Sequence, residues 1–548
     1  MQTGFRTFLT VILIGLLCGT AEAQSLWRVD FRDKENSPWS LSRPLEFLSE
    51  RALERRAALG IAVEEADLPV NPHYTDSVVR LGAVAVNSSR WMNSLTVFLP
   101  NDSLSLTIAA LPFVAGMECT RPDTVVTKSA TSKFGTPGEL NPIDTSLYGA
   151  SVYQVGQLNG QYLHSRGFTG GGMLIAILDA GFYRVNTLPA FDSLRAAGRI
   201  AGTASMVYPP SDIYGEHTHG MMVLSTMGGN KPGRLIGTAP HASYWLIRTE
   251  DARSEFPVEE DNWIAGAELA DSAGCDIINS SLGYSTYDDP AMSHTFAVMD
   301  GKTTRVARGA NMAAARGILV FSSAGNEANN SWKRILTPAD GDSVIAVAAV
   351  NKEGMRASFS SLGPSADNEV KPTLAAMGVA ATVEGANGVV SANNGTSFSS
   401  PILAGMAACL WQAFPEAAPW HIRHALIHSA SQHLAPDSLL GYGIPNMEAA
   451  GVLLQTSVPR IPLPISQWTL YPLPFRESLT LVPPVNQKGA VTAEFFTLTG
   501  QKIFHSRLEG SGIRLITGLG HLPQGIYLVR ISSNTGSEVH KIAGGGPR

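Results

Sequence analysis

Short, continuously apolar segments alternate with helical segments through the middle of the chain, and this alternation constrains the fold more than any other feature. Five such segments between residues 148 and 451 are bounded by turn residues: MLIAILD, SYWLIRT, CDIINSSLG, GILVFSSAG and SVIAVAAV. The intervening stretches, such as NWIAGAELADSAG and RVARGANMAAARG, have helical spacing. Strands that are apolar on both faces are typical of parallel sheets covered by helices. The sequence therefore predicts a doubly wound α/β domain over residues 148–456.

The N-terminus has the layout of a secretory signal peptide. Residues 1–23 contain one arginine, a short apolar stretch and the motif Ala21-Glu22-Ala23, so we expect cleavage after Ala23. The apolar stretch is shorter than a membrane-spanning helix requires. The formal net charge is −6 and no long basic run is present, which argues against nucleic acid as a partner.

The sequence on either side of the central domain predicts smaller parts. Residues 24–147 combine short strands with an arginine-rich helix, which predicts a small α+β region. Residues 457–466 form a proline-rich linker. Residues 467–548 contain alternating strands separated by turn residues, which predicts a small all-β, sandwich-like domain.

The cysteines and acidic residues predict neither a disulfide framework nor a metal site. Cleavage of the signal peptide leaves Cys119, Cys275 and Cys409, whose spacing suits neither a framework nor a metal centre. No acidic loop has the spacing of a calcium site. We therefore expect no cofactor. We also expect the protein to be a monomer.

Polar residues follow several of the predicted strands. Asp179 ends the first apolar segment, Ser281 ends the third, and Asn326 follows the fourth. His219 opens a helical segment, and Ser397 lies in NGTSFSSP at the head of another. In a doubly wound sheet, ligands bind beyond the carboxyl ends of the strands. Each residue alone is common in turns and helix caps, so their combination carries the prediction.

These residue types fit one mechanism. A serine hydroxyl becomes a nucleophile when a base removes its proton, and a histidine base needs a carboxylate to fix its tautomer. The oxyanion then needs hydrogen-bond donors, which an asparagine amide and a backbone N–H at a helix start can supply. Asp179, His219, Ser397 and Asn326 provide these groups. The helix after Ser397 is apolar nearly all round, and Pro401 is expected in its first turn, where a missing N–H costs little.

The motifs and their order resemble the subtilisin-like serine proteases, or subtilases. The order Asp, His, Ser differs from that of the chymotrypsin and α/β-hydrolase families. ILDAGF resembles the Asp block, HGMMVLST the His block, SSAGNE the oxyanion block and NGTSFSSP the nucleophile block. The resemblance implies a secreted endopeptidase with catalytic Asp179, His219 and Ser397, an oxyanion-hole Asn326 and an acyl-enzyme intermediate. Related enzymes often bind structural calcium.

The resemblance also implies where a substrate lies. INSSLG resembles the strand along which subtilases bind an extended peptide. Ser281, Leu282 and Gly283 are the expected substrate-binding residues, because their backbone can pair with a peptide as an added strand. The expected partners are therefore protein or peptide substrates.

The surroundings of His219 depart from the family pattern. Met221 and Met222 stand where the family has Thr and His, so we expect the local packing to differ. His217 is a second candidate base, but only His219 is followed by glycine and then by the helix. Sedolisin-type proteases use glutamate in place of this histidine, which makes Glu216 a further candidate.

The flanking regions also resemble known modules. Residues 24–147 resemble the N-terminal region of secreted subtilases, which implies an inhibitory propeptide that is removed within residues 120–148. A permanent accessory domain is the alternative. LYPLPFRESLTL, FFTLTGQKIF and LPQGIYLVRI resemble the sorting domains of the type IX secretion system. This implies export through the periplasm to the exterior or the cell surface, with the type IX machinery as a partner.

Two alternatives from other classes remain open at this stage. The C-terminal module could be a β-sandwich that binds carbohydrate or protein. The whole chain could be a catalytically silent protein with the subtilase fold, used for binding or adhesion at the cell surface.

Overall fold

The structure, a computed structural model, describes residues 25–123, 147–457, 468–471, 475–482, 489–509, 514–534 and 536–545. The predicted signal peptide, nearly all of the predicted linker and most of the predicted propeptide cleavage region lie outside the described residues. The chain divides into two units, Met1–Val458 and Pro459–Arg548. The finer boundaries within the first unit stay predictions.

The first unit begins with an antiparallel sheet covered by helices. Its elements are β1 (Ser25–Phe31), α1 (Glu50–Leu59), α2 (Pro72–Arg80), β2 (Val84–Ser89), β3 (Ser94–Leu99), α3 (Leu104–Ala109) and β4 (Val114–Arg121). The strand order is β2-β3-β1-β4. Helix α1 begins where the Ser49 side chain accepts a hydrogen bond from the Ala52 N–H. This N-terminal sheet confirms the predicted α+β region.

A seven-stranded sheet follows, and the strand pairs described within it are parallel. In the first half of this part of the chain, the elements are α4 (Val152–Gly156), α5 (Gln161–His164), β5 (Leu174–Asp179), α6 (Asp192–Ala196), β6 (Ile200–Ser205), α7 (His219–Gly228), β7 (Asn230–Lys231), β8 (Leu235–Ile236), β9 (Ser243–Arg248) and α8 (Val258–Ala273). The remaining elements are β10 (Ile277–Ser280), α9 (Arg305–Ala315), β11 (Leu319–Ser323), β12 (Ile345–Val350), β13 (Leu374–Met377), β14 (Ala381–Glu384), β15 (Val390–Asn393), α10 (Thr396–Ala413), α11 (Pro419–His428) and α12 (Met447–Ser457).

The sheet order is β13-β12-β11-β10-β5-β9-β6, which confirms the doubly wound α/β prediction. All five apolar segments form strands of this sheet. The two edge strands, β6 and β13, were missing from the prediction. β6 has the sequence IAGTAS, whose small residues give little strand signal, and β13 has LAAM, whose residues favour helices.

Side chains of the central strands alternate between two helical layers. Ile175 and Ile177 of β5 lie in the apolar cluster that contains α7 and α10. Ala176 and Leu178 lie in the opposite cluster, which contains α8 and α9. Successive strand side chains point to opposite faces, so a strand buried on both sides reads as a continuous apolar run.

The second unit contains only strands and one short 3-10 helix among its described residues. Its strands are β16 (Thr469–Tyr471), β17 (Ser478–Val482), β18 (Val491–Phe496), β19 (Lys502–Leu508), β20 (Arg514–Thr517), β21 (Gly525–Ser533) and β22 (Gly536–Gly544). They form a three-stranded and a four-stranded sheet, with orders β16-β17-β20 and β19-β18-β21-β22. Leu479 and Ile516 of one sheet share a core with Phe495 and Val529 of the other, which confirms the predicted all-β module. Across both units, the described helices include none with the length and apolar character needed to cross a bilayer.

Buried ion pairs join the N-terminal sheet region to α8. Asp271 of α8 is fully buried and accepts hydrogen bonds from the guanidinium groups of Arg55, Arg56 and Arg90. The distances from its Oδ2 to Arg56 and Arg90 are 2.7 Å and 2.6 Å. Removal of one member of a buried network leaves the others charged and unpaired. Asp271 therefore contributes to the attachment of the N-terminal region to α8, together with Glu268, which accepts hydrogen bonds from Ser89 and from the Arg90 N–H.

The first prediction concerns this carboxylate. Asp271→Ala should lower the free energy of unfolding of the intact chain by about 3–5 kcal/mol, because the buried guanidinium groups of Arg55 and Arg90 lose their ion-pair partner. Urea denaturation measures the effect. Asp76→Ala is the matched control, since Asp76 forms only an exposed pair with Arg80 at 4.0 Å, and such pairs contribute about 0–1 kcal/mol. Equal effects of the two substitutions would contradict the account.

Candidate active site

The candidate site lies where the strand order of the parallel sheet reverses. After β5 the chain builds β6 and β9 on one side, and it then returns to build β10 on the other. The carboxyl ends of neighbouring strands diverge at such a switch point and leave a crevice. Asp179 is the last residue of β5, and Ser281 directly follows β10. The fold thus places two of the predicted residues on either side of one crevice.

Asp179 and His219 form a buried hydrogen-bonded pair. The distance from His219 Nδ1 to Asp179 Oδ1 is 2.8 Å, and the exposed fractions of the two residues are 2% and 0%. The same Asp179 oxygen accepts a hydrogen bond from the Ala180 N–H at 2.7 Å. The His219 ring also lies against Phe398, with 6.0 Å between ring centroids. The imidazole is therefore held on one side by a carboxylate and on another by an aromatic ring.

Gly220 allows α7 to start this close to β5. A Cβ atom at position 220 would lie 2.5 Å from the Gly181 carbonyl oxygen and 2.9 Å from the Asp179 Cβ. Real Cβ atoms do not approach backbone so closely. The close packing that brings His219 to Asp179 thus requires glycine at position 220. In the sequence, the His–Gly motif indicated this requirement.

His217 and Glu216 have other partners. The His219 backbone N–H donates to His217 Nδ1 at 3.2 Å, which places the His217 ring at the start of α7. Glu216 Oε2 lies 3.4 Å from an Arg248 guanidinium nitrogen. Burial lowers the pKa of Arg248, and the nearby Glu216 carboxylate opposes that shift. Of the three candidates, His219 is the one placed against Asp179.

Two methionines of α7 bear on the expected difference in packing around His219. Met221 and Met222 are buried. The Met222 sulfur lies 3.4 Å from the Asn393 side-chain amide nitrogen, which donates to it. A methionine fills irregular space and accepts weak hydrogen bonds, so Met222 joins α7 to β15 through this contact.

Ser397 is the second residue of α10 and is 8% exposed. Its Oγ lies 3.4 Å from the Ser281 carbonyl oxygen, and its own carbonyl oxygen accepts a hydrogen bond from Ser281 Oγ at 2.8 Å. Gly395, just before the helix, has φ of +153°, a conformation that favours glycine. The start of α10 is therefore fastened to the end of β10.

Pro401 is the sixth residue of α10, so its expected place in the first turn was wrong. A residue at this position normally donates its N–H to the carbonyl four residues earlier, which is that of Ser397. Proline has no N–H. The Ser281 hydroxyl donates a hydrogen bond to the Ser397 carbonyl instead. This contact is a supporting interaction that the sequence did not indicate.

A chain of side-chain hydrogen bonds extends this support. Ser400 Oγ donates to Asn279 Oδ1 at 2.8 Å, and Asn279 Nδ2 donates to Ser281 Oγ at 3.1 Å. All three residues are buried. Because the Ser281 hydroxyl accepts from Asn279, its proton is free to point at the Ser397 carbonyl. The direction of every bond in the chain is thereby fixed.

Asn326 is oriented by Thr396, the residue before Ser397. Asn326 Oδ1 accepts hydrogen bonds from the Thr396 N–H and the Thr396 hydroxyl, each at 3.0 Å. The assignment of oxygen to this side leaves the amide NH₂ as the outer group. Asn326 and Ser397 line one cavity together with Ser281, Leu282 and Gly283. The structure thus gathers the predicted oxyanion and substrate-binding residues around Ser397.

Two groups of carboxylates have the spacing of possible metal ligands among the described residues. One group is Glu250, Glu255 and Glu259, and the other is Asp342, Asp367 and Glu369; in each, the oxygens lie within 4.8 Å of one another. Lys302 Nζ already lies 3.4 Å from Asp342 and 3.2 Å from Asp367. The expectation that the protein needs no metal stays a prediction.

Three protein families match successive parts of the chain. The Bacteroidota-type propeptide domain of peptidase family S8 matches residues 26–134, and the subtilase family matches residues 170–443. A secretion-system C-terminal sorting domain matches residues 469–543. The sorting domain indicates secretion or attachment at the cell surface, and the propeptide domain indicates synthesis as a zymogen.

Curated proteins and a solved structure resemble part of the chain. Subtilisin NAT of Bacillus subtilis subsp. natto is 31% identical over 308 residues, which cover 55% of this chain and 72% of the relative. Subtilisin of Bacillus pumilus is 30% identical over 302 residues, covering 54% and 98%. The crystal structure of MycP1 from Mycobacterium smegmatis has 20% identity and a TM-score of 0.44, covering 59% of this chain and 89% of that chain. The chain belongs to the subtilase family and is a serine-type endopeptidase.

Proposed function

We propose that the protein cleaves peptide bonds through an acyl-enzyme formed on Ser397, with His219 as the general base and Asp179 as its carboxylate partner. The observation that carries this proposal is the buried 2.8 Å hydrogen bond between His219 Nδ1 and Asp179. A proton on Nδ1 directed at a carboxylate leaves Nε2 with its lone pair. That nitrogen can then accept the proton of the Ser397 hydroxyl.

The reaction follows from these positions. As Ser397 Oγ attacks the scissile carbonyl carbon, its proton passes to His219 Nε2 and the Asp179 carboxylate stabilises the imidazolium. The oxyanion accepts hydrogen bonds from the Ser397 N–H at the start of α10 and from the Asn326 amide. His219 then donates the proton to the leaving amine. A water molecule, deprotonated by His219, hydrolyses the acyl ester and restores Ser397.

Substrate position follows from the strand that ends at Ser280. We propose that an extended peptide lies along Ser281, Leu282 and Gly283 and pairs with their backbone as an added strand. These residues and Ser397 line the same cavity, which supports the proposal. The proposed catalytic groups belong to one chain, which supports action as a monomer. The catalytically silent alternative is not favoured, because the chain matches the subtilase family and its curated relatives are subtilisins.

We further propose that Ser281 positions the nucleophile. Its hydroxyl bonds the carbonyl that Pro401 leaves without a helical donor. Loss of this hydroxyl leaves a buried carbonyl unsatisfied at the residue that carries the nucleophile. The expected consequence is a shift of Ser397 rather than unfolding of the domain.

The triad is tested by labelling with a fluorophosphonate probe and by kcat on a peptide substrate. Ser397→Ala should remove labelling and lower kcat by about a millionfold, whereas Asn326→Leu should lower kcat by about 100- to 1,000-fold. His219→Ala should abolish labelling, and His217→Ala is the matched control that should keep it. Labelling that persists in Ser397→Ala would contradict the proposal.

The positioning role of Ser281 is tested by Ser281→Ala. We expect kcat to fall about tenfold, in line with about 1–2 kcal/mol for an unsatisfied buried carbonyl, with KM changed less. Ser358→Ala, at an exposed serine, should leave both constants unchanged. An unchanged kcat in Ser281→Ala would show that the hydroxyl has no positioning role.

The sorting module is tested by truncation in a host with a type IX secretion system. Removal of the residues after 466 should leave active enzyme in the periplasm, because the module that directs export is gone. Activity assays on periplasmic and extracellular fractions measure this. Export of the truncated protein at the level of the full chain would contradict a sorting role.

A further inference from the structure

Three histidine rings lie close together at the end of α11. His424 and His428 lie one turn apart on the exposed side of this helix, and their ring centroids are 4.0 Å apart. His433 lies in the turn that follows the helix, and its ring centroid is 5.9 Å from that of His428. Residues four apart on a helix are neighbours on its surface. The spacing of the first two histidines and the course of the following turn therefore bring the three rings together.

The backbone that carries these rings is held in place from the other side. Ile422, Ala425 and Leu426 of α11 are buried in the apolar cluster that contains α10. The turn after the helix is held as well, because the Gln432 N–H donates to the Tyr442 carbonyl oxygen at 3.0 Å. A ligand that binds the three rings thus meets a backbone that is already in position, which lowers the entropy cost of binding.

The His433 ring has the tautomer that a metal ligand needs. Its Nδ1 lies 3.2 Å from the Ala430 carbonyl oxygen, which can only accept a hydrogen bond. The proton is therefore on Nδ1, and Nε2 carries a lone pair. Histidines that bind metal ions commonly donate their other N–H to a backbone carbonyl in this way. The contact with Ala430 thus prepares His433 Nε2 for a metal ion.

Two neighbouring polar side chains of α11 have other partners. His421 Nδ1 accepts a hydrogen bond from the Ala418 N–H at 3.2 Å, which places the proton of this ring on Nε2. The Arg423 guanidinium donates to the Asp342 carbonyl oxygen at 3.2 Å, in the loop before β12. His421 therefore caps the start of the helix and is not counted with the three rings at its end.

We propose that His424, His428 and His433 bind a divalent transition-metal ion such as Zn²⁺ through their ring nitrogens, with water completing the coordination. Imidazole nitrogen is a good ligand for zinc, copper and nickel, whereas calcium and magnesium prefer oxygen. Exposed side chains change rotamer rapidly, so the rings can each direct a nitrogen at one ion. The ion joins the last turn of α11 to the turn that follows. This role is independent of the reaction at Ser397.

The test measures binding of the metal itself. It uses the intact chain without an affinity tag, carrying Ser397→Ala so that its own activity cannot cleave it. Titration calorimetry should detect a Zn²⁺ site that Ca²⁺ does not displace, and Cu²⁺ should bind there more tightly than Zn²⁺. Zn²⁺ at about 100 times its Kd should raise the ratio of folded to unfolded protein about a hundredfold, which urea denaturation measures.

Substitutions assign the site to the three histidines. His424→Ala, His428→Ala and His433→Ala should each weaken Zn²⁺ binding by about 100-fold or more, because loss of an outer partner of a metal ligand already costs about 10- to 100-fold. His241→Ala is the matched control and should leave binding unchanged, since His241 is an exposed histidine bonded to Thr169 Oγ1 at 2.8 Å. The urea midpoint of each variant without metal separates loss of a ligand from loss of the fold.

Three results would overturn the proposal. One is that the chain shows no saturable binding of Zn²⁺. Another is a Zn²⁺ affinity that any one of the three histidine substitutions leaves at the value of the unsubstituted site. The third is displacement of Zn²⁺ by Ca²⁺, which would assign the ion to oxygen ligands such as the carboxylates of Asp342 and Asp367.

Discussion

The hydrogen bond between Asp179 and His219 links the fold to the chemistry of this protein. It joins the last residue of a central strand to the first residue of a helix on one face of the sheet. Both residues are buried, so a charged partner is held where water cannot replace it. The contact exists only because Gly220 lets α7 approach the backbone at Gly181. The position of the sheet, the start of the helix and one glycine therefore set the geometry of His219, the proposed base.

Ser397, the proposed nucleophile, is held by a second, independent arrangement. The start of α10 is fastened to the end of β10 through hydrogen bonds from Ser400 to Asn279, from Asn279 to Ser281 and from Ser281 to the Ser397 carbonyl. A buried polar chain of this kind is favourable when each member is paired, and it fixes one arrangement. Pro401 contributes by leaving that carbonyl to the Ser281 hydroxyl. The position of α10, which carries the proposed nucleophile, is therefore set by side chains as well as by its backbone.

Much of the fold could be predicted, because burial on two faces leaves continuous apolar runs in the sequence. The five central strands, the helices between them and the C-terminal β-module follow from that signal. The edge strands β6 and β13 could not be recognised, since β6 is only partly buried and rich in small residues, and the buried β13 consists of four residues that favour helices. Pro401 was placed a turn too early because the exact start of α10 depends on contacts that sequence spacing does not show.

The candidate site could be predicted in part for a related reason. Polar residues that end buried strands are visible in the sequence, and Asp179, Asn326 and Ser281 were found in this way. The structure adds contacts between residues distant in sequence. Asn279 contacts Ser400, and the N-terminal arginines contact Asp271. No periodicity or local motif indicates such contacts, since they depend on how the helices and strands pack against one another.

The central claim is that the Nδ1 proton of His219 is held by Asp179. Proton NMR of the mature protein with ¹⁵N-labelled histidine measures it directly, through the downfield resonance of a hydrogen-bonded imidazole N–H. The account predicts one such resonance that disappears in Asp179→Ala and remains in His217→Ala. A resonance that survives Asp179→Ala, or that disappears in His217→Ala, would contradict the assignment of His219 as the base.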